Sequence, residues 1–255
     1  MITLNTILYE GNFKNYLQED CWFFKFKNKF ITKKLLTINN LTSIDLFNEL
    51  INKLKLNHEF DVVFVSDYEN EAISFFNLNM NRNSIGYWYS IPYFVDILTI
   101  KTPFIFNVSS DCCNEIKLND DFFEKSINIL NADNDYPVTT LPWCEHWETT
   151  GAPNGIPPYV TCVGEWEQIN TPSYTADKAL NNFWCTDVFS DQVFIGHIDK
   201  LKKVDYNCPK MGRYNGPEYG GTDAFEARLS EYLAKNNLFR LIFKSNELSY
   251  KHNNI

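Results

Sequence analysis

Short apolar segments, each followed by polar residues, recur through the first half of the chain. Residues 2–9 alternate apolar and polar positions, and further apolar runs lie at 33–38, 61–65 and 102–108. Runs of this length between polar residues are typical of strands in a sheet. The pattern therefore predicts four strands, each of which ends in polar residues.

Segments with the apolar spacing of helices lie between these strands. In residues 43–54 the apolar positions recur every three or four residues, and Ser43 can cap the first turn. Shorter helices are predicted at 13–20, 71–78 and 92–100. This alternation predicts an α/β, Rossmann-like fold with a mostly parallel sheet flanked by helices.

The second half of the chain continues the alternation less regularly. Its strongest helical pattern is amphipathic and covers residues 222–237, where Thr222 or Asp223 can form the cap. The other predicted elements are one helix, at 122–130, and strands at 138–141, 187–195 and 238–243. The polar residues 244–255 are expected to form a frayed tail.

An aromatic segment interrupts these elements at residues 143–172. It holds Trp143, Trp147 and Trp166 among several glycines and prolines. Long ordered loops in compact domains are commonly functional, and exposed tryptophans suit stacking on sugar rings. The same side chains could instead pack the loop onto the body of the domain, and the sequence leaves both interpretations open.

Composition and charge restrict the possible classes of function. With 255 residues, 44% of them hydrophobic, the chain can bury a large core, and its formal net charge of −9 argues against nonspecific nucleic-acid binding. No apolar stretch is long enough to span a bilayer, and the N-terminus lacks a signal pattern, so a cytoplasmic protein is expected. The seven cysteines include no C-x-x-C pair and are expected to be reduced.

Polar side chains collect where the predicted strands end. They are Tyr9, Glu10, Asn39, Asp67, Ser109, Ser110 and Asp111. In open α/β sheets, ligands bind outside the carboxyl ends of the strands, so these residues are candidates for a binding site. No G-x-G-x-x-G follows the first strand and no Walker motif occurs, which disfavours a classical dinucleotide site.

The stretch from residue 92 to 111 resembles the centre of a GT-A glycosyltransferase. A helix leads through Lys-Thr-Pro into an apolar strand that ends at an acid, Asp111. In that family the strand delivers a D-x-D signature, of which Ser109-Ser110-Asp111 keeps the last acid. The resemblance implies that Asp111 holds Mn²⁺ or Mg²⁺ at the donor diphosphate, with His197 as a further ligand. It also implies that a nucleotide such as UDP contacts the strand ends: Tyr9, Glu10, Asn39, Asp67, Ser109 and Ser110.

A second resemblance lies in the run GGTDAFEARL at residues 220–229. Inverting GT-A enzymes of the family 2 type begin a helix with a Glu-Asp pair, whose Asp is the general base. Here Thr222 replaces the Glu and Asp223 matches the base, while Glu226, one turn further on, is the alternative. A carboxylate at a helix N-terminus is kept ionised by the helix dipole and can accept a hydroxyl proton. An Asp there can equally be a simple cap.

Together these resemblances imply a nucleotide-sugar glycosyltransferase with one GT-A-like domain over residues 1–243. Its donor-binding half would cover about 1–115 and its acceptor half about 116–243. It would transfer a sugar, with inversion, to a glycan or another hydroxyl acceptor. Four residues are expected to meet that acceptor: Trp143, His146, Trp147 and Asp191.

Other classes of protein stay possible. The main alternative is a carbohydrate-binding or inactive transferase-like module that uses the tryptophan-rich loop. A glycoside hydrolase has enough acids, but the chain lacks the eight strand–helix repeats of a barrel. A Rossmann-like methyltransferase is disfavoured because the glycine-rich first turn is missing.

Overall fold

The computed structural model of the protein describes residues 1–110, 112, 116, 118–132, 135–141, 183–186, 189–207, 224–243 and 248. The first part of the chain alternates strands and helices: β1 Ile2–Tyr9, α1 Phe13–Tyr16, α2 Trp22–Lys25, β2 Ile31–Asn39, α3 Ile44–Lys55, β3 Asp61–Phe64, α4 Val65–Phe75, α5 Ile85–Thr99 and β4 Phe104–Val108. The second part contains α6 Asp120–Ala132, β5 Val138–Thr140, β6 Phe183–Thr186, β7 Val193–His197, α7 Ile198–Leu201, α8 Phe225–Lys235 and β8 Arg240–Phe243.

The strands of the described residues form one eight-stranded sheet in the order β3-β2-β1-β4-β7-β5-β8-β6. The pairs β3–β2, β2–β1, β1–β4 and β5–β8 are parallel, whereas β7 is antiparallel to both β4 and β5, and β6 is antiparallel to β8. Six of the eight strands therefore run in the same direction. The predicted α/β architecture with a mostly parallel sheet is confirmed.

The order of the strands reverses between β1 and β4. From β1 the chain adds β2 and then β3 on one side, and it returns to the other side with β4. Ligands in open α/β sheets bind beyond the carboxyl ends of the strands at such a reversal. A ligand is therefore expected to bind beside the residues that follow Tyr9 and Val108.

Helices cover both faces of the sheet, so the core has two layers. Successive side chains of a strand point to opposite faces, and in β4 Phe106 packs with one cluster of buried residues and Ile105 with the other. The Phe106 layer includes Phe47 of α3 and Phe122 of α6. The Ile105 layer includes residues of α5 and α8.

Helix α5 is longer than the sequence predicts and contains Pro92. The residues of this helix are apolar on nearly all of its sides, so its sequence lacks the one-sided pattern by which surface helices are recognised. The helix begins after Ser84, whose hydroxyl accepts a hydrogen bond from the Tyr87 N–H at 3.1 Å. Tertiary packing therefore outweighs the cost of a proline in its interior.

Three other predictions are wrong in detail. Helix α4 starts at Val65, directly after β3, so Asp67 lies in a helix and not in a loop. The N-cap position of α8 is Ala224, so neither Thr222 nor Asp223 occupies it. Leu248, in the predicted frayed tail, is buried against the core. No helix among the described residues is long and apolar enough to cross a membrane.

Candidate active site

The turn after β1 is fastened to the end of β4. The Asn12 side chain accepts a hydrogen bond from the Tyr9 N–H at 2.8 Å, and the Asn12 N–H donates to the Tyr9 carbonyl at 3.0 Å. The Asn12 amide also donates to the Ser110 hydroxyl at 2.6 Å. These bonds hold Ser110 at the reversal between β1 and β4, where the fold places its ligand-binding edge.

The segment before β7 reaches the same edge. Because β7 is antiparallel to β4, its first residue, Val193, pairs with Val108. The Ser109 N–H donates to the Gln192 carbonyl at 2.7 Å, and the Asn107 side chain donates to the Asp191 carbonyl at 2.9 Å. The structure therefore places Asp191, predicted from the sequence as an acceptor residue, next to the Ser109 end of β4.

Glu226, the alternative base, lies in the first turn of α8 and interacts with Asp191. The start of this helix is held by Ser90 of α5, whose hydroxyl accepts a hydrogen bond from the Phe225 N–H at 2.6 Å. Burial raises the pKa of Glu226 well above its usual range, the negative charge of Asp191 raises it further, and Arg240 opposes both effects. The site thus contains a pair of interacting carboxyl groups, one of which holds its proton unusually tightly.

Glu10, predicted to contact the nucleotide, binds the two residues that precede helix α3. Its carboxylate accepts hydrogen bonds from the Thr42 N–H at 2.7 Å and from the Ser43 N–H at 3.3 Å, and the Ser43 hydroxyl donates to it at 2.7 Å. These bonds lower the pKa of Glu10, the hydroxyl bond having the largest effect. The predicted cap, the Ser43 side chain, makes no capping bond to the helix itself.

Asn39, a second predicted nucleotide contact, is engaged with helix α5. Proline has no N–H, so Pro92 leaves the Trp88 carbonyl, four residues earlier, without its usual helical partner. The Asn39 amide donates to that carbonyl at 2.8 Å. Its side chain is buried, and its observed role is to complete the helix that Pro92 interrupts.

Two aromatic residues at this edge were not predicted from the sequence. Tyr89 packs edge-to-face on Tyr9, with 5.9 Å between the ring centroids. Tyr89 is 56% exposed and its neighbour Trp88 is 41% exposed, although both belong to a helix whose residues are mostly buried. The sequence pattern placed the start of this helix at residue 92, so it gave no reason to assign these rings to the site.

Asp67 and His197 lie apart from Ser110. Asp67 is exposed on α4 and follows the outermost strand β3, which is three strand spacings, or roughly 14 Å, from β4. His197 pairs with Phe104, at the amino end of β4, whereas Ser109 follows its carboxyl end. Burial lowers the pKa of His197, with Lys200 adding to the effect. The structure does not bring either residue to Ser110.

A cleft of about 470 Å³ also lies away from this edge. It is lined by the first residues of β2, by Asp61 at the start of β3, and by residues from Phe24 to Asn28. It therefore opens at the amino ends of these strands, opposite the predicted site. Its lining mixes lysines with acids and aromatic residues.

The arrangement of the sheet can be compared with known proteins. The sequence matches no protein-family model, and no curated protein is detectably similar to it in sequence. In structure it is similar to GalNAc-T7, crystallised with UDP, GalNAc and Mn²⁺, with a TM-score of 0.55 and 9% identity over 99% of this chain and 43% of that one. It is also similar to glucosyl-3-phosphoglycerate synthase from Mycobacterium tuberculosis in complex with Mg²⁺ and UDP (TM-score 0.53, 10% identity, 100% of this chain and 72% of that one). Mouse xyloside xylosyltransferase 1 gives a TM-score of 0.50 at 9% identity, over 100% of this chain and 98% of that one.

The chain has the GT-A fold. The resemblance implied by residues 92–111 is therefore confirmed at the level of architecture. The chain spans less than half of GalNAc-T7, 43% of its length. At identities of about 10%, these similarities describe the fold and not the reaction.

Within this GT-A fold, the oxygen atoms at the end of β4 suit a hard divalent cation. Mg²⁺ and Mn²⁺ prefer oxygen ligands and often retain water and substrate phosphates as part of their coordination. Ser109 and Ser110 offer hydroxyl groups there. Among the described residues, no three His, Cys, Asp or Glu side chains form a group that could hold a metal. Asp111, the predicted metal ligand, lies outside the described residues, so its role stays a prediction.

Five predicted site residues lie outside the described residues. They are Asp111, Trp143, His146, Trp147 and Asp223. Ser110 precedes the first of them directly, and Ala224 follows the last. Their assigned roles stay predictions.

Proposed function

We propose that this chain is a glycosyltransferase that moves a sugar from a nucleotide-diphosphate donor to a hydroxyl group of a glycan or a similar acceptor. The observation that carries the proposal is the meeting of two features at the reversal of a GT-A sheet. One is the Ser109–Ser110 turn, fastened by Asn12 and Gln192. The other is the pair of interacting carboxyl groups, Asp191 and Glu226.

The donor would occupy the carboxyl ends of β1 and β4. Its base would stack on the exposed ring of Tyr89, which rests on Tyr9, because planar bases and aromatic side chains pack favourably. Its diphosphate would lie against the turn that contains Ser109, Ser110 and Asp111. Glu10 and Asn39 would act indirectly, by fixing the starts of α3 and α5.

The divalent cation, Mn²⁺ or Mg²⁺, would be held by Asp111 and by the donor phosphates. When bound, it would neutralise the negative charge that develops on the departing diphosphate. The hydroxyl groups of Ser109 and Ser110 would orient the same phosphate oxygens.

The acceptor would approach from the side of α8. Asp223 is proposed as the general base, with Glu226 as the alternative, and either would take the proton of the acceptor hydroxyl. The acceptor oxygen then bonds to the anomeric carbon as the sugar–phosphate bond breaks, and the diphosphate leaves with that electron pair. A direct displacement of this kind inverts the anomeric centre. The raised pKa of Glu226 suits it to proton transfer near neutral pH.

The remaining acceptor contacts are proposed from the sequence alone. Trp143 and Trp147 would stack on sugar rings, and His146 would bond to their hydroxyl groups. Residues 1–243 would act as one catalytic domain, with the donor half ending near residue 115.

Ligand-dependent melting tests the proposal most directly. The protein is heated alone and with a panel of nucleoside diphosphates, each with Mn²⁺ and with EDTA. We expect one nucleotide to raise the melting temperature, because a ligand that binds only the folded state stabilises it. The matching nucleotide sugars are then tested for transfer to a set of sugar acceptors, with release of the nucleoside diphosphate as the readout.

Paired variants locate the site in the same assay. Tyr89→Ala should reduce the nucleotide-dependent shift, whereas Asp67→Asn, at the far edge of the sheet, should leave it unchanged. A shift without turnover by any donor would show a binding protein. A protein that responds to none of the nucleotides would contradict the proposal.

A further inference from the structure

A buried polar network lies beneath the candidate site and was not predicted from the sequence. Its members are Asn5 of β1, Thr37 of β2, Asp96 of α5 and Asn107 of β4. All four side chains are fully buried. The network connects three adjacent strands with the helix that covers them, and it ends at the Asp191 carbonyl of the site.

The orientation of both amides in this network follows from one main-chain group, the Asp191 carbonyl. The Asn107 Nδ2 lies 2.9 Å from the Asp191 carbonyl oxygen, which can only accept, so this atom must be the donor. The Asn107 Oδ1 therefore faces Asn5, whose Nδ2 donates to it at 3.0 Å. The same Nδ2 donates to Asp96 Oδ2 at 2.7 Å, which uses both of its protons. The Asn5 Oδ1 is left as an acceptor.

The remaining contacts require one more proton than an ionised Asp96 allows. Thr37 Oγ1 lies 3.2 Å from Asn5 Oδ1 and also contacts Asp96 Oδ1. A hydroxyl group has one proton, and it would face two oxygens that can only accept if Asp96 were a carboxylate. A protonated Asp96 removes the conflict, because its own O–H donates to Thr37 while Thr37 donates to Asn5. The three side chains then form a closed ring of hydrogen bonds.

The surroundings of Asp96 agree with this count of protons. Burial raises its pKa to about 8, and hydrogen bonds from the neutral side chains of Thr37 and Asn5 oppose the shift. A buried carboxylate without a cation would be costly, whereas a neutral acid in a complete ring is not.

We propose that Asp96 is an uncharged carboxylic acid that closes a ring with Thr37 and Asn5, and that this ring, through Asn107, positions the Asp191 segment beside Glu226. Asp96 would thus be a positioning residue of the transfer reaction, a role that rests on the proposed function. The positioning itself can be measured without turnover. The carbonyl of Asp191 connects this residue to the ring, and the negative charge of its side chain raises the pKa of Glu226.

Titration of the side-chain carboxyl groups by carbon-13 NMR tests both parts of the proposal. Asp96→Asn and Glu226→Gln identify the two resonances. We expect the Asp96 resonance to keep the chemical shift of a protonated acid from pH 5 to pH 7. An Asp96 resonance that is already ionised at pH 5 would overturn the assignment of the ring.

The positioning role is tested by shortening the link in Asn107→Ser, which can no longer reach the Asp191 carbonyl. The carboxylate of Asp191 should then move, so the pKa of Glu226 should fall while staying above its usual value because the site is still buried. Asn107→Thr is the second variant, since its β-branched side chain suits a strand. A folded variant with the wild-type Glu226 titration would overturn the positioning role.

The result of these titrations does not depend on whether the proposed function is correct. Both titrations are read on the protein without donor or acceptor, so a protein that transfers no sugar still gives a result. If transfer is observed, Asp96→Asn should retain most of the rate because its amide can donate to Thr37 and accept from Asn5. Asp96→Ala, which opens the ring, should lower kcat by a larger factor than it raises the donor KM. A decrease in kcat matched by an equal increase in KM would indicate a general structural role.

Discussion

At the scale of single residues, the polar side chains at the carboxyl edge divide into two groups. Glu10 and Asn39 stabilise the fold, since one binds the residues that precede α3 and the other bonds to a carbonyl of α5. Asp191 and Glu226 interact with each other at the start of β7 and α8. The edge is therefore polar for two separate reasons, and residue type alone does not distinguish them.

Replacing Asp96 with Asn should remove a pH dependence of stability. An unfolded aspartate titrates near pH 4 and the folded one near pH 8, so the folded state binds the extra proton between these values. Stability should therefore fall as the pH rises from about 4 to about 8, by up to about 1.4 kcal/mol per unit from this group. Asp96→Asn should not lose stability in this way, because its side chain does not titrate. Urea unfolding of both proteins at pH 5 to 8 measures the difference.

The other titrating groups, including Asp191 and Glu226, are present in both proteins, and their effects largely cancel in that difference. The free energy of unfolding of the variant, relative to that of the wild type, should increase as the pH rises. A stability difference that stays constant from pH 5 to pH 8 would mean that Asp96 is already ionised in the folded protein at pH 5.

Replacing Asp223 with Asn tests which carboxyl group is the base. Loss of a general base typically lowers the rate by about 10²–10⁴, and the N-cap position of α8 is Ala224, so the helix should not be weakened. We expect a normal melting temperature, normal donor binding and transfer slower by at least about a hundredfold. Glu226→Gln is the matched variant. Full activity of Asp223→Asn with loss in Glu226→Gln would assign the base to Glu226.

At the scale of elements, helix α5 organises much of the site. Its Trp88 carbonyl bonds to Asn39 of β2, its Ser90 holds the start of α8, and its Asp96 reaches β1 and β2. Its exposed rings, Trp88 and Tyr89, lie at the carboxyl edge of the sheet. One helix thus connects the strand ends, helix α8 and the buried network.

The interruption of α5 by Pro92 leads to a double-mutant prediction. Asn39→Ala should destabilise the protein by about 1 kcal/mol, because the Trp88 carbonyl loses its hydrogen bond. Pro92→Ala restores the N–H that normally bonds to this carbonyl, so Asn39→Ala should cost less in that background. Unfolding of the four proteins in denaturant gives the coupling. Equal costs in both backgrounds would show that Asn39 does not substitute for the missing N–H.

At the scale of the whole molecule, the sheet brings distant parts of the chain to one edge. Asn12 meets Ser110, and Ser109 meets Gln192, because β4 lies between β1 and β7. A ligand bound there would contact both halves of the sheet. Its binding energy should therefore stabilise the folded chain as a unit.

Replacing Asp111 with Ala should abolish the metal-dependent part of nucleotide binding. A ligand at a hundred times its Kd stabilises a folded protein by about 2.7 kcal/mol. We expect Mn²⁺ to enlarge the nucleotide-dependent rise in melting temperature for the wild type and not for Asp111→Ala. The two proteins should melt alike without ligand. Equal nucleotide binding by the wild type in Mn²⁺ and in EDTA would contradict the metal role.

The α/β class, the strand that ends at Val108 and the extents of several elements follow from the sequence pattern alone. Strand β1 has the predicted bounds, and α3 and β4 lie within a residue or two of theirs. These predictions succeed because period and composition record which face of an element is buried. The polar strand ends were also visible, since an apolar run stops where the chain leaves the core.

Which of the polar residues meet depends on how the strands and helices are arranged in space. The separation of His197 from Ser109 follows from the antiparallel register of β7 against β4, and the approach of Asp191 to Glu226 follows from the packing of α8 on α5. The ring around Asp96 joins residues 5, 37 and 96, whose local patterns show nothing but buried strands and a helix. Hydrophobic periodicity specifies the burial of each element, but the pairing of polar groups depends on strand order and register, which long-range contacts determine.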